Sequence, residues 1–340
     1  MSISVKKFDT YGGKDVLAYT MTNKNGAYVT ILNYGGIINR LFLPDRSGNL
    51  GDIVCGFDSV KDYFEDRGSY TGAIIGRYGN RISNGGFYLD GEFYPIANNE
   101  TGRWHLHGGY CGFNRRLWDS QTLEENGSDS VILTLFSPHL EEGYPGNLMV
   151  KVTYTFDDDN ALTIHYEAET DMKTVLNMTN HAYFNLNGYN GGSVMEQYLM
   201  INADTYDALD DKLIPIGEPV SVEGTEFDFR VCRKIGQGYD HNFHVKGNIG
   251  ELRLASMAYD EISGRVMTVY TDLPAVQLYT AGGMNGSTLF KGGVAQKPYH
   301  AFCLETQYSP NTPNRPYMPQ CVITPDKKYD SVTKFVFGIK

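Results

Sequence analysis

No stretch of this sequence approaches the roughly 20 consecutive apolar residues that a membrane-spanning helix needs, so the chain is expected to stay in water with no membrane partner. Basic charge is also short. Against 40 Asp and Glu stand 29 Lys and Arg, a formal net charge of −11. A surface of that sign repels nucleic acid and anionic membranes, which leaves a small or neutral molecule as the expected partner. The five cysteines, Cys55, Cys111, Cys232, Cys303 and Cys321, are odd in number and widely spread, with no CxxC pair. Neither a disulfide framework nor a zinc knuckle is indicated, and a reducing compartment is expected. The N-terminus, MSISVKKFDTYGGKDVLAYT, breaks its apolar residues with Lys and Asp and cannot supply the apolar stretch of a signal peptide, so the expected location is cytoplasmic. Neither GxGxxG nor GxxxxGK occurs, which argues against a nucleotide cofactor. Helical patterns are scarce as well, the best being Ser59 to Asp66, with Ser59 as N-cap and Asp62 three residues on. No linker, charge block or internal repeat divides the chain, so residues 1–340 are expected to form a single domain.

What the sequence has in quantity is alternation of period two. From Met149 to Phe156, Val150, Val152, Tyr154 and Phe156 share one face opposite Lys151, Thr153 and Thr155. The turn Asp157-Asp158-Asp159-Asn160 follows, then Leu162, Ile164 and Tyr166 alternate with Thr163, His165 and Glu167, which predicts a hairpin. A second hairpin is predicted at Phe87–Leu89 and Glu92–Tyr94, joined by Asp90-Gly91, a preferred pair for a tight primed turn. The fold class that follows is all-β, one large domain of packed antiparallel sheets with few short helices.

Ionisable residues inside such apolar runs are the candidates for chemistry. In Ala301 to Gln307, period two sets Glu305 on a face with Ala301, Cys303 and Gln307, opposite Phe302, Leu304 and Thr306. The plainer alternative is a strand-end carboxylate facing water, since Glu is seldom buried without a partner. From Asn177 to Leu186, one face reads Asn177, Thr179, His181, Tyr183, Asn185, while Met178, Ala182, Phe184 and Leu186 face the other way with a single Asn180. That pattern predicts a strand resting its apolar side on the core and aiming a hydrogen-bonding row at a cleft, with His181 either a structural histidine or a proton shuttle. Three more polar clusters stand out: Gly76 to Ile82, with Arg77, Asn80 and Arg81; His105 to Gly109; and Tyr239 to Asn242, with Asp240. Extended backbone would place His105 and His107 on one face, as in a metal site, but no carboxylate follows at ligand spacing, and no metal is expected. The plainer alternatives are that Arg77 and Arg81 are surface charges or partners for some of the excess acid, and that Asp240 is a turn residue.

The order of these segments resembles the galactose mutarotase (aldose 1-epimerase) family over nearly the whole chain. The family's GRxxNRI matches Gly76 to Ile82, its LHGG matches Leu106 to Gly109, and its NLTNHxYFNL matches Asn177 to Leu186 with only Met178 departing. EEGYPG at 141–146, VEGTxFDFR at 222–230, YDHNF at 239–243, VQLYT at 276–280 and LETQ at 304–307 also agree. Departures occur at Gly112-Phe113-Asn114-Arg115, where the family commonly has Asp after the Phe, and at Thr324-Pro325-Asp326-Lys327, which lacks the usual Gly-Glu. The resemblance implies a large antiparallel β-sandwich and an enzyme interconverting the α and β anomers of a free hexose without cofactor or metal. It assigns the general acid to His181, the general base to Glu305, and sugar binding to Asn80, Arg81, His107, Asp240 and Gln277, with Arg77 a structural neighbour. The reaction agrees with those residue types: opening a pyranose removes a proton from the anomeric hydroxyl while another arrives at the ring oxygen, which needs one base and one acid and no nucleophile. The alternatives are a hexose 6-phosphate epimerase of the same superfamily and a non-catalytic carbohydrate-binding sandwich. A monomer or homodimer is expected.

Overall fold

The computed structural model describes residues 2–340 except 67, 126, 127, 285 and 287. The period-two segments become three larger antiparallel sheets with several two-stranded ones beside them. The first sheet is a meander of five sequential strands, Ser2–Tyr11, Lys14–Thr22, Tyr28–Leu32, Ile38–Pro44 and Leu50–Asp52. The second has nine strands in the spatial order Asp119–Glu125, Ser128–Ser137, Leu148–Asp157, Ala161–Thr170, Tyr329–Ile339, Arg265–Thr271, Arg253–Tyr259, Tyr198–Ile201 and Arg233–Lys234. The third has five, ordered Val220–Ser221, Ala203–Tyr206, Asp240–Val245, Ala275–Tyr279 and Cys303–Gln307.

One continuous apolar cluster draws Val29 and Ile31 from the first sheet, Val152, Tyr154, Ile164 and Phe335 from the second, and Phe243, Val276 and Leu304 from the third. Both smaller sheets therefore pack on the inner face of the nine-stranded one, and the architecture is a large antiparallel sandwich. Each fully buried side chain of this kind contributes about 1.5–3 kcal/mol, so the core fixes the register of all three sheets. Tyr154 spans two layers, its hydroxyl donating to the Gly36 carbonyl at 2.6 Å. The outer face of the same sheet keeps apolar groups such as Phe136 and Met149 half exposed.

The predicted hairpin of Leu148–Asp157 with Ala161–Thr170 forms, pairing Tyr154 with Ile164 and Phe156 with Leu162. The Asp90-Gly91 turn has φ of +52° and +84°, the two left-handed residues that a type I′ turn demands. The only α-helix among the described residues is Val60–Glu65, with the Ser59 hydroxyl accepting from the Asp62 amide at 3.1 Å. None of the described helices is long and apolar enough to cross a membrane.

One element differs. Asn177–Leu186 is not a continuous strand: only Thr179–Asn180 pairs as one, with Ile74–Ile75, and single bridges join Asn177 to Tyr78 and Phe184 to Val54 and Phe302. The segment changes partner every few residues because it threads between sheets instead of running along one. Its alternation survives, since Met178, Ala182, Phe184 and Leu186 all lie in the main core.

Candidate active site

The third sheet has two unlike faces. Phe243, Val276, Leu278 and Leu304 point into the core. On the other side, directly paired residues form two rows across the strands, Asp240–Tyr279–Cys303 and Asn242–Gln277–Glu305. Above them lies a cleft of about 340 Å³, walled by Tyr70, Arg81, His107, His181, Asp240 and Glu305 among others.

Glu305 is 2% exposed, so the alternative of a strand-end carboxylate in water fails. Its Oε1 lies 3.7 Å from His181 Nε2, and its Oε2 has no hydrogen-bond partner. Burial pushes the Glu305 carboxyl well above the ordinary carboxylate range, with Asp240 adding to the shift and Arg81 opposing it. Burial pushes the His181 imidazole down to about 4. Burial thus shifts each group toward its neutral form. The other His181 nitrogen, Nδ1, is 3.5 Å from Cys303 Sγ. Burial holds that thiol well above its ordinary pKa, so it keeps its proton.

His107 sits on a backbone of φ +50°, followed by Gly108 at φ +85°, where a Cβ would come within 1.9 Å of the Gly76 carbonyl oxygen. This explains Gly at that place in the Leu106–Gly109 motif. The same turn sends His105 and His107 in different directions, against the expectation for extended backbone. His105 is buried away from the cleft, with Nδ1 2.7 Å from the Ala97 carbonyl and Nε2 2.6 Å from the Tyr144 hydroxyl. Glu142 secures the loop from below, its carboxylate accepting the amides of Tyr110 at 3.0 Å and Cys111 at 2.9 Å.

Arg81 is gripped by Glu100 through two 2.9 Å hydrogen bonds, Nε to Oε2 and Nη2 to Oε1, and its Nη1 is 3.9 Å from Asp240 Oδ2. Burial works against its charge, but Asp240 and Glu100 more than offset this and raise its pKa. Asn80 lines the cleft and accepts the Arg81 amide on Oδ1 at 2.8 Å. Gln277, buried beside Glu305 in the row beneath the cleft, donates to Asp240 Oδ1 at 2.6 Å. Arg77, as expected, is structural: it donates to Ser137 Oγ and to the carbonyls of Ser137, Pro138 and Pro145.

The chain matches the family model described as Aldose 1-epimerase over residues 17–336. It belongs to the aldose 1-epimerase family. Among curated relatives, the galactose mutarotase of Bos taurus is 40% identical over 319 residues, covering 92% of this chain and 91% of that protein. The Homo sapiens galactose mutarotase is 39% identical over the same coverage, and the aldose 1-epimerase of Escherichia coli is 33% identical, with 96% of each chain covered. Among solved structures, the aldose epimerase homologue from C. elegans superposes with a TM-score of 0.88 at 28% identity, covering 95% of this chain and 99% of that one. Galactose 1-epimerase from Lactobacillus acidophilus gives 0.86 at 28% identity, covering 100% and 99%.

In this epimerase, His107, His181 and Glu305 each offer one atom within 4.8 Å of the others, which raises the question of a metal. The donor set argues against one. The Asn80 amide donates to His107 Nδ1 at 3.1 Å, so in neutral His107 the proton lies on Nε2, which is then a donor and not a ligand. Burial, with His181 and Arg81 nearby, pushes the His107 pKa well down and keeps the ring neutral.

The sequence reading missed Glu100 and Tyr70, and it set Cys303 on the face of Glu305 without giving it a role. Glu100 lies in the irregular stretch between Asn99 and Thr101, with no periodicity to mark it. Tyr70, in a left-handed backbone of φ +53°, sets its ring 4.6 Å from His107 and 6.1 Å from His181. The polar row of 177–185 is mostly consumed by structure: Asn177 binds Gly79 and Tyr308, and Asn185 binds Gly192 and His300. Only His181 and Tyr183 of that row reach the cleft.

Proposed function

We propose that this aldose 1-epimerase acts on free hexoses such as galactose and glucose, with Glu305 and His181 as its proton carriers. The observation that carries the reading is the buried approach of the two, 3.7 Å apart, with the unpartnered Glu305 Oε2 beside them in a cleft large enough for a hexose. Glu305 takes the proton of the anomeric hydroxyl while His181 Nε2 gives one to the ring oxygen. After rotation about C1–C2 the aldehyde recloses on its other face with the roles reversed.

The pair carries one proton throughout, so neither residue is left altered. The distribution that burial favours, with the proton on Glu305 and neutral His181, is the one this scheme reaches at the open-chain stage. Arg81, which opposes the upward shift of Glu305, favours the ionised carboxylate needed to start. Each such proton transfer contributes about 10² to 10⁴ in rate, and holding the sugar adds orientation.

His107, through Nε2–H, together with Asn80, Arg81 and Asp240, is proposed to hold the sugar hydroxyls, and Gln277 acts on the sugar through Asp240. The five unpaired cysteines, three of them buried, suit a reducing cytoplasm, where the chain would work as one domain, monomeric or homodimeric. The test is the optical rotation of freshly dissolved α-galactose and α-glucose: catalytic amounts of protein should speed both to their equilibrium rotation. A protein that binds the sugars and leaves the rate unchanged would refute the proposal.

A further inference from the structure

Behind Asp240 runs a chain of buried amides that neither proton carrier uses. Gln277 Nε2 donates to Asp240, and Gln277 Oε1 lies 3.4 Å from Gln307 Nε2. Gln307 Nε2 also donates to Asn242 Oδ1 at 2.9 Å. Asn242 Nδ2 in turn reaches Asp207 Oδ2 at 2.9 Å and Ser309 Oγ at 3.1 Å. At the far end Asp207 Oδ1 accepts from Arg315 Nη2 at 2.8 Å and has His244 Nε2 3.3 Å away. Asp207, Asn242, Gln277 and Gln307 are at most 3% exposed, so bulk water does not supply their partners.

Carboxylates accept hydrogen bonds and cannot give them. Asp240 therefore requires the Gln277 nitrogen, which turns the Gln277 carbonyl toward Gln307. Asp207 requires the Asn242 nitrogen, which turns the Asn242 carbonyl toward Gln307 from the other side. Two carbonyls converge on Gln307, and only its NH₂ answers both. The three amides have one self-consistent orientation, and turning any of them sets oxygen against oxygen or NH₂ against NH₂ in a buried place, where an unmet polar group is costly.

We infer that Asp207, held by Arg315, is a positioning residue for sugar binding: through Asn242 and Gln307 it fixes Gln277 with its nitrogen toward Asp240, and so sets the angle of the carboxylate that meets the sugar. The inference rests on Asp240 binding the sugar, as proposed above. It gives a task to Asn242 and Gln307, two motif residues that the proton chemistry leaves idle.

The experiment measures kcat and KM for galactose by polarimetry. Asp207→Asn places an amide where the chain needs an acceptor, which frees Asn242 and then Gln307 to turn; KM should rise about tenfold while kcat stays within about twofold. Adding Asn242→Asp to that protein restores an acceptor-only group one link along, able to take hydrogen bonds from both the amide at 207 and Gln307, and KM should return to within about threefold of the parent. A structural role alone would lower melting temperature and kcat with KM unmoved and no rescue, and that result would overturn the inference.

Gln307→Met, of similar shape but without the central NH₂, covers the case in which Asp207→Asn does not fold. It too should raise KM, and an unchanged KM would overturn the inference. Asp240→Asn separates the two levels of the argument. If it leaves KM unchanged, the sugar-binding role of Asp240 falls and the relay with it. If it raises KM while Asp207→Asn and Gln307→Met do not, only the relay falls.

Discussion

Glu100→Gln is a sharp perturbation of the side of the cleft proposed to hold the sugar, because it changes one charge at nearly constant shape. Glu100 takes both arms of the Arg81 fork at 2.9 Å and also accepts the Trp104 indole N–H. With an amide in its place, one acceptor remains and an NH₂ group faces the guanidinium. Arg81 is 7% exposed, so water recovers little of the loss, and its nearest remaining carboxylate is Asp240, now 3.9 Å from Nη1. The guanidinium should close on Asp240, and the sugar must then break that pair to bind. Losing one charge-assisted hydrogen bond costs about 2 kcal/mol, or roughly thirtyfold in KM at about 1.36 kcal/mol per decade. Arg81 and Asp240 are proposed to hold hydroxyls that do not react, so ground state and transition state should suffer alike, and kcat should stay within about threefold. Initial rates of mutarotation over a range of galactose concentrations measure both constants. An unchanged KM, or a fall in kcat with KM constant, would refute the placement of Arg81 and Asp240 as sugar holders.

Other consequences follow from the same geometry. Burial lowers the His105 pKa to about 4 from 6.5, so the unfolded chain binds a proton that the folded chain refuses. Its contribution is fully present above about pH 6.5 and is lost as pH falls through about 4, a difference of about 3 kcal/mol. His105→Gln should therefore shrink the gap between urea midpoints at pH 7 and pH 4, and an unchanged gap would contradict the assignment. Exhaustive EDTA treatment should leave activity intact, because His107 is held in a tautomer that donates from Nε2; loss of activity restored by a divalent ion would contradict this. Arg81 is the only Lys or Arg lining the cleft among the described residues, and three carboxylates, Glu100, Asp240 and Glu305, share the wall. Galactose should accordingly show a higher kcat/KM than galactose 6-phosphate, and the reverse order would point to the phosphate-specific sister activity.

Local pattern carried much of this protein in its sequence. Alternation placed Val150 to Phe156 and Leu162 to Tyr166 on the core face, and Asp90-Gly91 specified its turn, because side-chain period and turn chemistry act over a few residues. The same alternation put Glu305 opposite Leu304 and His181 opposite Ala182 even though 177–186 is not a regular strand; burial needs only the alternation, while pairing needs a straight neighbour. What pattern could not reach were contacts made by the fold. Glu100 meets Arg81 across 19 positions, and Asn242 meets Asp207 across 35 and Gln307 across 65. Gln277 was expected at the sugar, and its hydrogen bond to Asp240 was not legible, since period two assigns a face but not the partners made across it. His105 and His107 parted because the left-handed backbone at His107 breaks the period that would have aligned them.

The central claim is that Glu305 and His181 act as one proton-carrying unit, and a double-mutant cycle followed by polarimetry tests it most directly. Glu305→Gln and His181→Asn should each fold and lower kcat by at least about 10², the lower end for a general acid or base. The double variant should lose little more than the worse single one, because ring opening stalls when either transfer is missing. Additive losses, with KM rising in place of a falling kcat, would mean two independent hydrogen bonds to a bound sugar, and a Glu305→Gln enzyme of near-parental kcat would contradict the account outright.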